Sequence, residues 1–386
     1  MTQHTMASGK TKPFHAFWLF FPAASVWAAL AVPLSIHAVL SGSGWPPGLL
    51  GAGHGHELIF GFALALIAGY TLGPQPWRIL APLFLLWLLA RLSWLLAPDN
   101  LASQLLSPAF ALLLARYVVP RFQAAKKWRN KIAGPLILVL CLLSVVFGLT
   151  AYARASSAFT APDTRQIMVV AIIGLLLLMT FMGGRIIAPA VAGTLEKQGI
   201  NLEARVQPRI EGALLVILPL AMILTMVPIP DRVTTPLLLL ASALIVVRTL
   251  RWKLWHCAHR PDLLVLATGY LWLAAGAGLT GMHLWQDRNP LPALHVITIG
   301  ALGTLSISVM LRLAWQRARR SFPPTWQVLG IAGLILVAAL ARLQAGTTPF
   351  AHPETLWLSA TCWSAAYGLC ATQLVLLFRH SQQRRK

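Results

Sequence analysis

His54, His56 and Glu57 stand together immediately before the apolar segment Leu58–Leu72. Ionisable side chains at bilayer depth are costly and usually mark a functional site, and imidazole is the commonest metal ligand. Residues i and i+2 of a helix point about 200° apart, whereas in an extended segment they project to the same side. We therefore expect either an unwound segment whose two imidazoles bind one metal, or a helical start in which His56 and His54 serve different centres. The plain alternative is that they cap the helix or meet water.

Further candidate ligands fall at the same membrane level, at the ends of predicted spans. His283 closes the ninth span, and His295 lies in the first turn of the tenth, so the two could face each other across a helical hairpin. Met226 and Met282 could supply the thioether sulfur that copper(I) favours. The alternative for each histidine is an ordinary hydrogen bond between helices. The full set of histidines on this side is His37, His54, His56, His283, His295 and His352.

Three arginines lie within or at the ends of apolar segments. Arg91, in the outer half of the third span, is a candidate partner for Glu57 or for a haem propionate. Glu57 could in turn orient the neighbouring imidazole by accepting its proton in a hydrogen bond. Arg185 and Arg312 end the sixth and tenth spans on the opposite side. Each is either a membrane anchor or a holder of an anionic group.

The composition indicates an integral membrane protein. Hydrophobic residues make up 57% of the 386 positions, charged residues 11%, and the mean hydropathy is +0.70, whereas about a quarter of the residues of a soluble domain are charged. The formal net charge is +21, but Lys and Arg cluster in short loops between apolar runs, as the positive-inside rule describes. The partner of this charge is therefore the lipid bilayer, and nucleic acid is excluded.

The apolar runs predict an all-α bundle of about twelve transmembrane helices in a single domain, 1–386. Both termini are expected in the cytoplasm, with tails at 1–13 and 379–386, and no clear internal repeat is visible. On the outer side this topology leaves only Arg154, Arg165, Arg232, Arg288 and Arg342. Spans of about 20 residues are predicted at Phe14–Leu40, His56–Leu72, Ile79–Ala97, Leu101–Val119, Ile132–Tyr152, Gln166–Val191, Gly212–Val227, Val233–Arg248, Pro261–His283, Pro292–Leu313, Thr325–Ala341 and Thr355–Phe378.

Several motifs, in the same order along the chain, resemble the NnrS family. They are His54-Gly-His-Glu-Leu-Ile-Phe-Gly61, Arg129-Asn130, Gly183-Gly-Arg-Ile-Ile-Ala-Pro189, Gly269-Tyr-Leu-Trp-Leu273, Ala293-Leu-His-Val-Ile-Thr-Ile-Gly-Ala-Leu-Gly-Thr304 and Val309-Met-Leu-Arg312. The loops after the second and tenth spans depart from the family pattern. The resemblance implies a bacterial inner-membrane protein that holds haem and copper and takes part in the response to nitric oxide in denitrifying and related bacteria.

Carried over by residue, the resemblance makes His54, His56, Glu57, Arg185, His295 and Arg312 functional candidates, with His54, His56 and His295 as metal ligands. His283 and Arg91 are added on the predicted topology alone. Nitric oxide and an unidentified membrane redox partner are the expected partners. The alternatives are a haem–copper-oxidase-like redox subunit, which the lack of an adjacent His-His pair disfavours, a twelve-helix secondary transporter and an assembly protein for another membrane complex.

Overall fold

The computed structural model describes residues 13–156 and 163–383 of the chain. Over these residues twelve helices are long and apolar enough to cross a membrane, which confirms the predicted fold class. The predicted tail 1–13 lies outside the described residues except for Pro13, and 384–386 of the second tail lie outside as well. The helices are α1 Phe17–Leu40, α2 Ala52–Thr71, α3 Trp77–Leu96, α4 Leu101–Gln123, α5 Trp128–Arg154, α6 Thr164–Glu196, α7 Glu203–Met226, α8 Asp231–Leu250, α9 Pro261–Trp285, α10 Leu291–Arg319, α11 Thr325–Gln344 and α12 Pro353–Gln383.

Short elements connect these helices. The strands β1 (Phe14–His15) and β2 (Pro74–Gln75) pair antiparallel, which ties the start of α1 to the loop after α2. Single turns of 3₁₀-helix lie at Pro47–Leu49, Leu254–Cys257 and Pro349–Ala351. The helix α12 runs on to Gln383, so the first residues of the predicted tail 379–386 are helical.

Three helices form the centre of the bundle. In α2, α6 and α10, 72%, 78% and 67% of the most apolar window is buried, more than in any other span of the described chain. These helices are four apart in order and therefore cross in the same direction. The three most extensive helix interfaces join α4 to α5, α8 to α9 and α12 to α1, so they recur every four helices. The contacts thus divide the bundle into three groups of four helices, with one inner helix in each group.

Two of the inner helices change their winding directly after a candidate histidine. In α2 the regular turn Ala52–His56 is followed by a π-helical segment, Glu57–Ala63. In α10 the regular turn Leu291–His295 is followed by a second one, Val296–Ala301. Such segments are rare and frequently lie at functional sites. The two inner helices that carry candidate histidines therefore share one local design.

The start of α2 decides between the two expectations for its histidines. His54 and His56 belong to a regular helical turn that begins at Ala52, so the unwound segment with two imidazoles on one metal is not what the chain forms. The glycines beside them serve close packing instead. A Cβ atom on Gly53 would lie 2.3 Å from the Gly48 carbonyl oxygen, and one on Gly55 would lie 3.0 Å from the Met168 sulfur.

Candidate functional site

His56 lies in a closed aromatic pocket. Its ring is stacked on Trp94 at a centroid distance of 3.9 Å and on Phe147 at 5.0 Å, and the residue is only 1% exposed. Its Nδ1 donates to Glu57 Oε1 at 3.1 Å, because a carboxylate can only accept. His56 therefore orients Glu57 and the start of α2 from within the wall formed by α3 and α5.

Glu57 is neutralised by Arg91, one of the two partners expected for that arginine. The guanidinium donates to Glu57 Oε1 at 2.6 Å, and both side chains are fully buried. Arg91 also donates to the Ser107 hydroxyl. Gly61 leaves room for this arginine, since a Cβ atom there would lie 2.5 Å from Arg91 Nη1. The pair joins α2 to α3, while Glu57 Oε2 and Arg91 Nε are buried and have no hydrogen-bond partner in the described chain.

His54 of α2 and His295 of α10 lie at the same end of the inner helices, within electrostatic range of each other, and both are partly buried. His295 Nδ1 donates to the Leu291 carbonyl oxygen at 2.7 Å, which leaves the lone pair of a neutral imidazole on Nε2. The Nδ1 atom of His54 is buried and has no hydrogen-bond partner within the described residues. Each of these two imidazoles thus keeps a ring nitrogen that the described chain does not engage in a side-chain ion pair.

Arg342, at the end of α11, lies within electrostatic range of both rings. It is 9% exposed, and its hydrogen bond is a long one, 3.4 Å, to the Gly346 carbonyl oxygen. No Asp or Glu of the described residues pairs with it, and 1–12, 157–162 and 384–386 contain neither residue type. None of its nitrogens is among the buried side-chain atoms that lack a hydrogen-bond partner, so Arg342 is a largely buried guanidinium that reaches solvent and has no carboxylate partner in the described chain.

At the opposite end of the bundle, Arg312 is bound by the protein itself. Its Nη1 donates to Asp262 Oδ2 at 2.6 Å. Arg260 grips the same carboxylate with two hydrogen bonds of 2.9 Å, and both guanidinium groups lie over the Phe322 ring. Of the two roles expected for Arg312, membrane anchor or holder of an anionic group, the structure shows the second. The anionic group is the Asp262 carboxylate of α9.

Arg185 is also held by the chain. Its guanidinium donates to the Asn130 side-chain oxygen and to the Arg129 carbonyl oxygen, and it lies 4.2 Å from the centroid of the Phe181 ring. The Arg129-Asn130 and Gly183-Gly184-Arg185 motifs are therefore two halves of one contact between α5 and α6. Among the described residues, Arg185 therefore anchors α6 to α5.

A second buried arginine, Arg248, explains the glycines of that motif. It donates to Glu211 Oε1 at 2.5 Å and to the Tyr270 hydroxyl at 3.0 Å. A Cβ atom on Gly184 would lie 2.3 Å from Arg248 Nη2, and one on Gly183 would lie 2.9 Å from the Tyr270 ring. The sequence reasoning missed this network because Arg248 and Glu211 each stand at a predicted helix boundary, where charged residues are ordinary.

The remaining candidates lie apart from the two imidazoles. His283 Nδ1 donates to the Asn289 carbonyl oxygen at 2.9 Å, which fixes the loop after α9. Met226 and Met282 are 36% and 49% exposed on the surface, and His37 and His352 are exposed too. The described residues contain no group of three or more His, Cys, Asp or Glu side chains arranged to hold a metal ion.

Two residues of the site were not singled out from the sequence. Met168, the fifth residue of α6, brings its buried thioether against Gly55, between the histidines of α2. Arg342 was counted as one of the few outer arginines. A signal for it exists: Ala341-Arg342-Leu343 in α11 repeats Ala90-Arg91-Leu92 in α3, the helix at the equivalent place in the first group of four.

Comparison with known proteins agrees with the motif pattern. No curated protein and no solved structure matches the chain. The family model described as NnrS protein matches residues 14–381 of the 386, which covers all twelve membrane-spanning helices of the described structure almost to the end of α12. The chain therefore belongs to the NnrS family.

Proposed function

We propose that this membrane protein binds haem between α2 and α10 through His54 and His295, and that it serves the response to nitric oxide that the family resemblance implies. The observation that carries the proposal is Arg342. It is a buried cation beside two imidazoles and has no carboxylate partner in the described structure. An anionic cofactor that takes imidazole ligands supplies what this site lacks.

The donor chemistry of the residues present suits haem. Haem iron takes one or two imidazoles, and His295 would offer Nε2 because Leu291 fixes its other ring nitrogen. His54 would offer a partly buried ring with an unpartnered nitrogen. A haem propionate forms strong charge-assisted hydrogen bonds with a guanidinium, a role that suits Arg342. When bound through both imidazoles, haem iron would supply a redox couple, and nitric oxide would reach it by taking the place of one imidazole.

The other residues of the motif position this site. His56 and Glu57 hold the first turn of α2 against α3 through the pair with Arg91. Trp94 covers the His56 ring and donates to the Gly48 carbonyl oxygen at 3.0 Å, which keeps water away from the buried charges. His54 is thereby presented on a fixed helical turn. A rigid presentation of this kind lowers the cost of ordering an axial ligand.

Copper is proposed on the family resemblance alone. The described residues offer no three-ligand group of His, Cys or carboxylate for it. The enclosed ring of His56 is already hydrogen-bonded to Glu57, and Met226 and Met282 stand on the surface. We therefore assign no residue of this chain to copper.

A secondary transporter fits the inner helices less well. Transporters of this size commonly bind substrate at broken helices near the bilayer midplane. Here α6 runs without a break from Thr164 to Glu196 through Pro189, and α2 and α10 widen into π-helical segments instead of breaking. The observations favour a site at the helix ends, where the histidines are.

The decisive experiment measures haem in purified protein. Wild type and the variants His54→Ala, His295→Ala and His37→Ala are produced with haem precursor and compared by absorption spectra and pyridine haemochrome assay. We expect haem in wild type and in His37→Ala, whose histidine is exposed, and at least a tenfold loss in the other two. Wild type without haem, or full occupancy in both His54→Ala and His295→Ala, would overturn the proposal.

We further propose that the site faces the periplasm of a bacterial inner membrane, because Lys and Arg are concentrated in the loops at the other end of the bundle. A reporter that is active only in the periplasm, inserted beside Asn289 in the loop between α9 and α10, is expected to be active. The same reporter after Ser321, in the next loop, is the matched control. Activity in the second fusion and not in the first would reverse the orientation.

A further inference from the structure

An apolar cavity of about 140 Å³ lies between the three inner helices. It begins where the π-helical segments end, at Ala63 in α2 and at Leu302 in α10, and extends away from the histidines. Each inner helix contributes positions spaced three and four apart, which is one continuous helical face. The lining residues of these helices are Ala63, Leu66, Ile67, Tyr70, Thr71, Leu175, Leu178, Met179, Met182, Gly183, Ile186, Ile187, Leu302, Leu305, Ser306, Val309 and Met310.

The surrounding helices close part of the wall of the cavity. Phe21 of α1, Ile137 of α5 and Leu266 of α9 complete the lining, and each of them is only 1% exposed. Tyr70 in the lining is 39% exposed, and Met182 and Ile186 are partly buried. The cavity therefore lies between the inner helices and is open on one side.

The lining offers almost nothing to a polar ligand. It contains no charged residue, histidine or cysteine. The Thr71 hydroxyl donates to the Ile67 carbonyl oxygen at 2.5 Å, and the Ser306 hydroxyl is hydrogen-bonded to Tyr367 at 2.8 Å. Water in a cavity needs two to four polar partners, whereas apolar cavities stay dry and bind apolar molecules. Ions and hydrogen-bonding metabolites are thus excluded.

We propose that this axial cavity binds a small uncharged apolar molecule, in the size range from a diatomic gas to benzene. A dry protein cavity of about 150 Å³ accepts benzene or xenon, and the present volume is close to that value. The thioethers of Met179, Met182 and Met310 add polarisable surface, which strengthens dispersion contacts. No imidazole lines the cavity, so this site is separate from the proposed haem site and binds whether or not haem is present.

Xenon is the probe that tests the site. Crystals of the full chain are pressurised with xenon, and the anomalous signal is mapped in wild type, in the filling variants Ala63→Phe and Val309→Phe, and in Leu340→Phe. The last adds the same ring at a position of α11 that is 51% exposed. We expect a xenon peak among Ala63, Met179 and Leu302 in wild type and in the control. In both filling variants its occupancy should fall at least fivefold.

Two variants on different helices guard against a folding defect in one of them, and thermal unfolding shows which are intact. A wild-type map without xenon in the cavity, or with ordered water there instead, would overturn the proposal. So would full xenon occupancy in folded Ala63→Phe and Val309→Phe protein. Neither result changes the outcome of the haem assay. The proposal for this cavity and the proposed function can therefore be contradicted independently.

Discussion

The two ends of the bundle treat buried charge in opposite ways. At the end that carries Arg312 and Arg248, each buried arginine has a carboxylate of the protein within 2.6 Å. At the histidine end, Arg91 is matched in the same way by Glu57, but Arg342 has no such partner in the described chain. Arginines with a carboxylate partner join helices to one another, as Arg185 does through the neutral acceptors Asn130 and Arg129. Arg342 differs because its hydrogen bond in the described structure is to a carbonyl oxygen of its own helix end.

The same contrast exists within the histidine end. His56 is hydrogen-bonded to the Glu57 carboxylate, stacks on the rings of Trp94 and Phe147, and is 1% exposed. It is therefore part of the packed interface of α2 with α3 and α5. His54, two residues away, is partly buried and has a ring nitrogen without a partner among the described residues. A helical turn separates the two rings by about 200°, so one motif supplies a histidine of the packed interface and the histidine that we propose as a haem ligand.

The largest effect should come from the paired end. Replacing Asp262 by Asn leaves Arg312 and Arg260 without their carboxylate, and breaking a buried pair costs about 3–5 kcal/mol. The matched control is Asp287→Asn, whose pair with Arg232 is 64% and 57% exposed and should contribute less than about 1 kcal/mol. Unfolding of the purified protein in denaturant measures both. If the free energy of unfolding falls equally in the two variants, the buried ion pairs of the Arg312 end contribute no more to stability than an exposed pair.

Arg342→Met tests the unpaired end. Because no counter-ion is left behind, the free energy of unfolding of haem-free protein should not fall. Haem affinity should weaken by about tenfold or more, since a hydrogen bond to a charged group contributes about 1.5–3 kcal/mol. Haem titration and unfolding are measured on the same preparations, with Arg342→Lys as the variant that keeps the charge. A loss of stability as large as that of Asp262→Asn would show that Arg342 is structural.

Gly53→Ala examines how firmly the first turn of α2 is held. The added Cβ atom would lie 2.3 Å from a backbone oxygen of Gly48, which cannot move as a side chain does, so we expect a loss of about 1–3 kcal/mol together with lower haem occupancy. Gly193→Ala in α6 is the control, because nothing lies within 4 Å of a Cβ atom there. If both variants unfold alike, the close packing of this turn does not matter.

The smallest effect on haem occupancy is expected at His56. His56→Phe keeps a flat ring between Trp94 and Phe147 and loses the hydrogen bond to the charged Glu57, which contributes about 1.5–3 kcal/mol to stability. Haem occupancy should stay close to that of wild type, in contrast to His54→Phe. The pyridine haemochrome assay on the two variants decides the matter. Loss of haem in a folded His56→Phe variant would indicate that His56 is a haem ligand, as the sequence predicts.

Much of the architecture could be predicted because it depends on local properties. Hydropathy over about 20 residues identifies a span regardless of its neighbours, and all twelve predicted spans are helices in the described chain. The start of α2 was placed too late because Gly53 and Gly55 suggested a break. In the structure these glycines allow close contact with Gly48 and Met168, and a sequence pattern does not distinguish the two uses.

The candidate site could be predicted only in part. The composition of the His54–Glu57 motif and the first turn of α10 pointed to the right end of the molecule. The arrangement that makes α2, α6 and α10 neighbours leaves only the short Ala-Arg-Leu match between α3 and α11 in the sequence, because many apolar side chains pack a membrane helix equally well. So short a match does not show that Arg342 lies near the histidines, and nothing in the sequence indicates the central cavity.

By itself, the sequence determined that this chain is a twelve-helix membrane protein with imidazoles near the ends of several helices, because hydropathy and charge act along the chain. Only the tertiary structure decided which of these side chains meet. It separated His56 from His54, placed His54, His295 and Arg342 within electrostatic range of one another, and gave Arg185 and Arg312 partners within the protein. The physical reason is that the cost of a buried charge depends on what lies next to it in space.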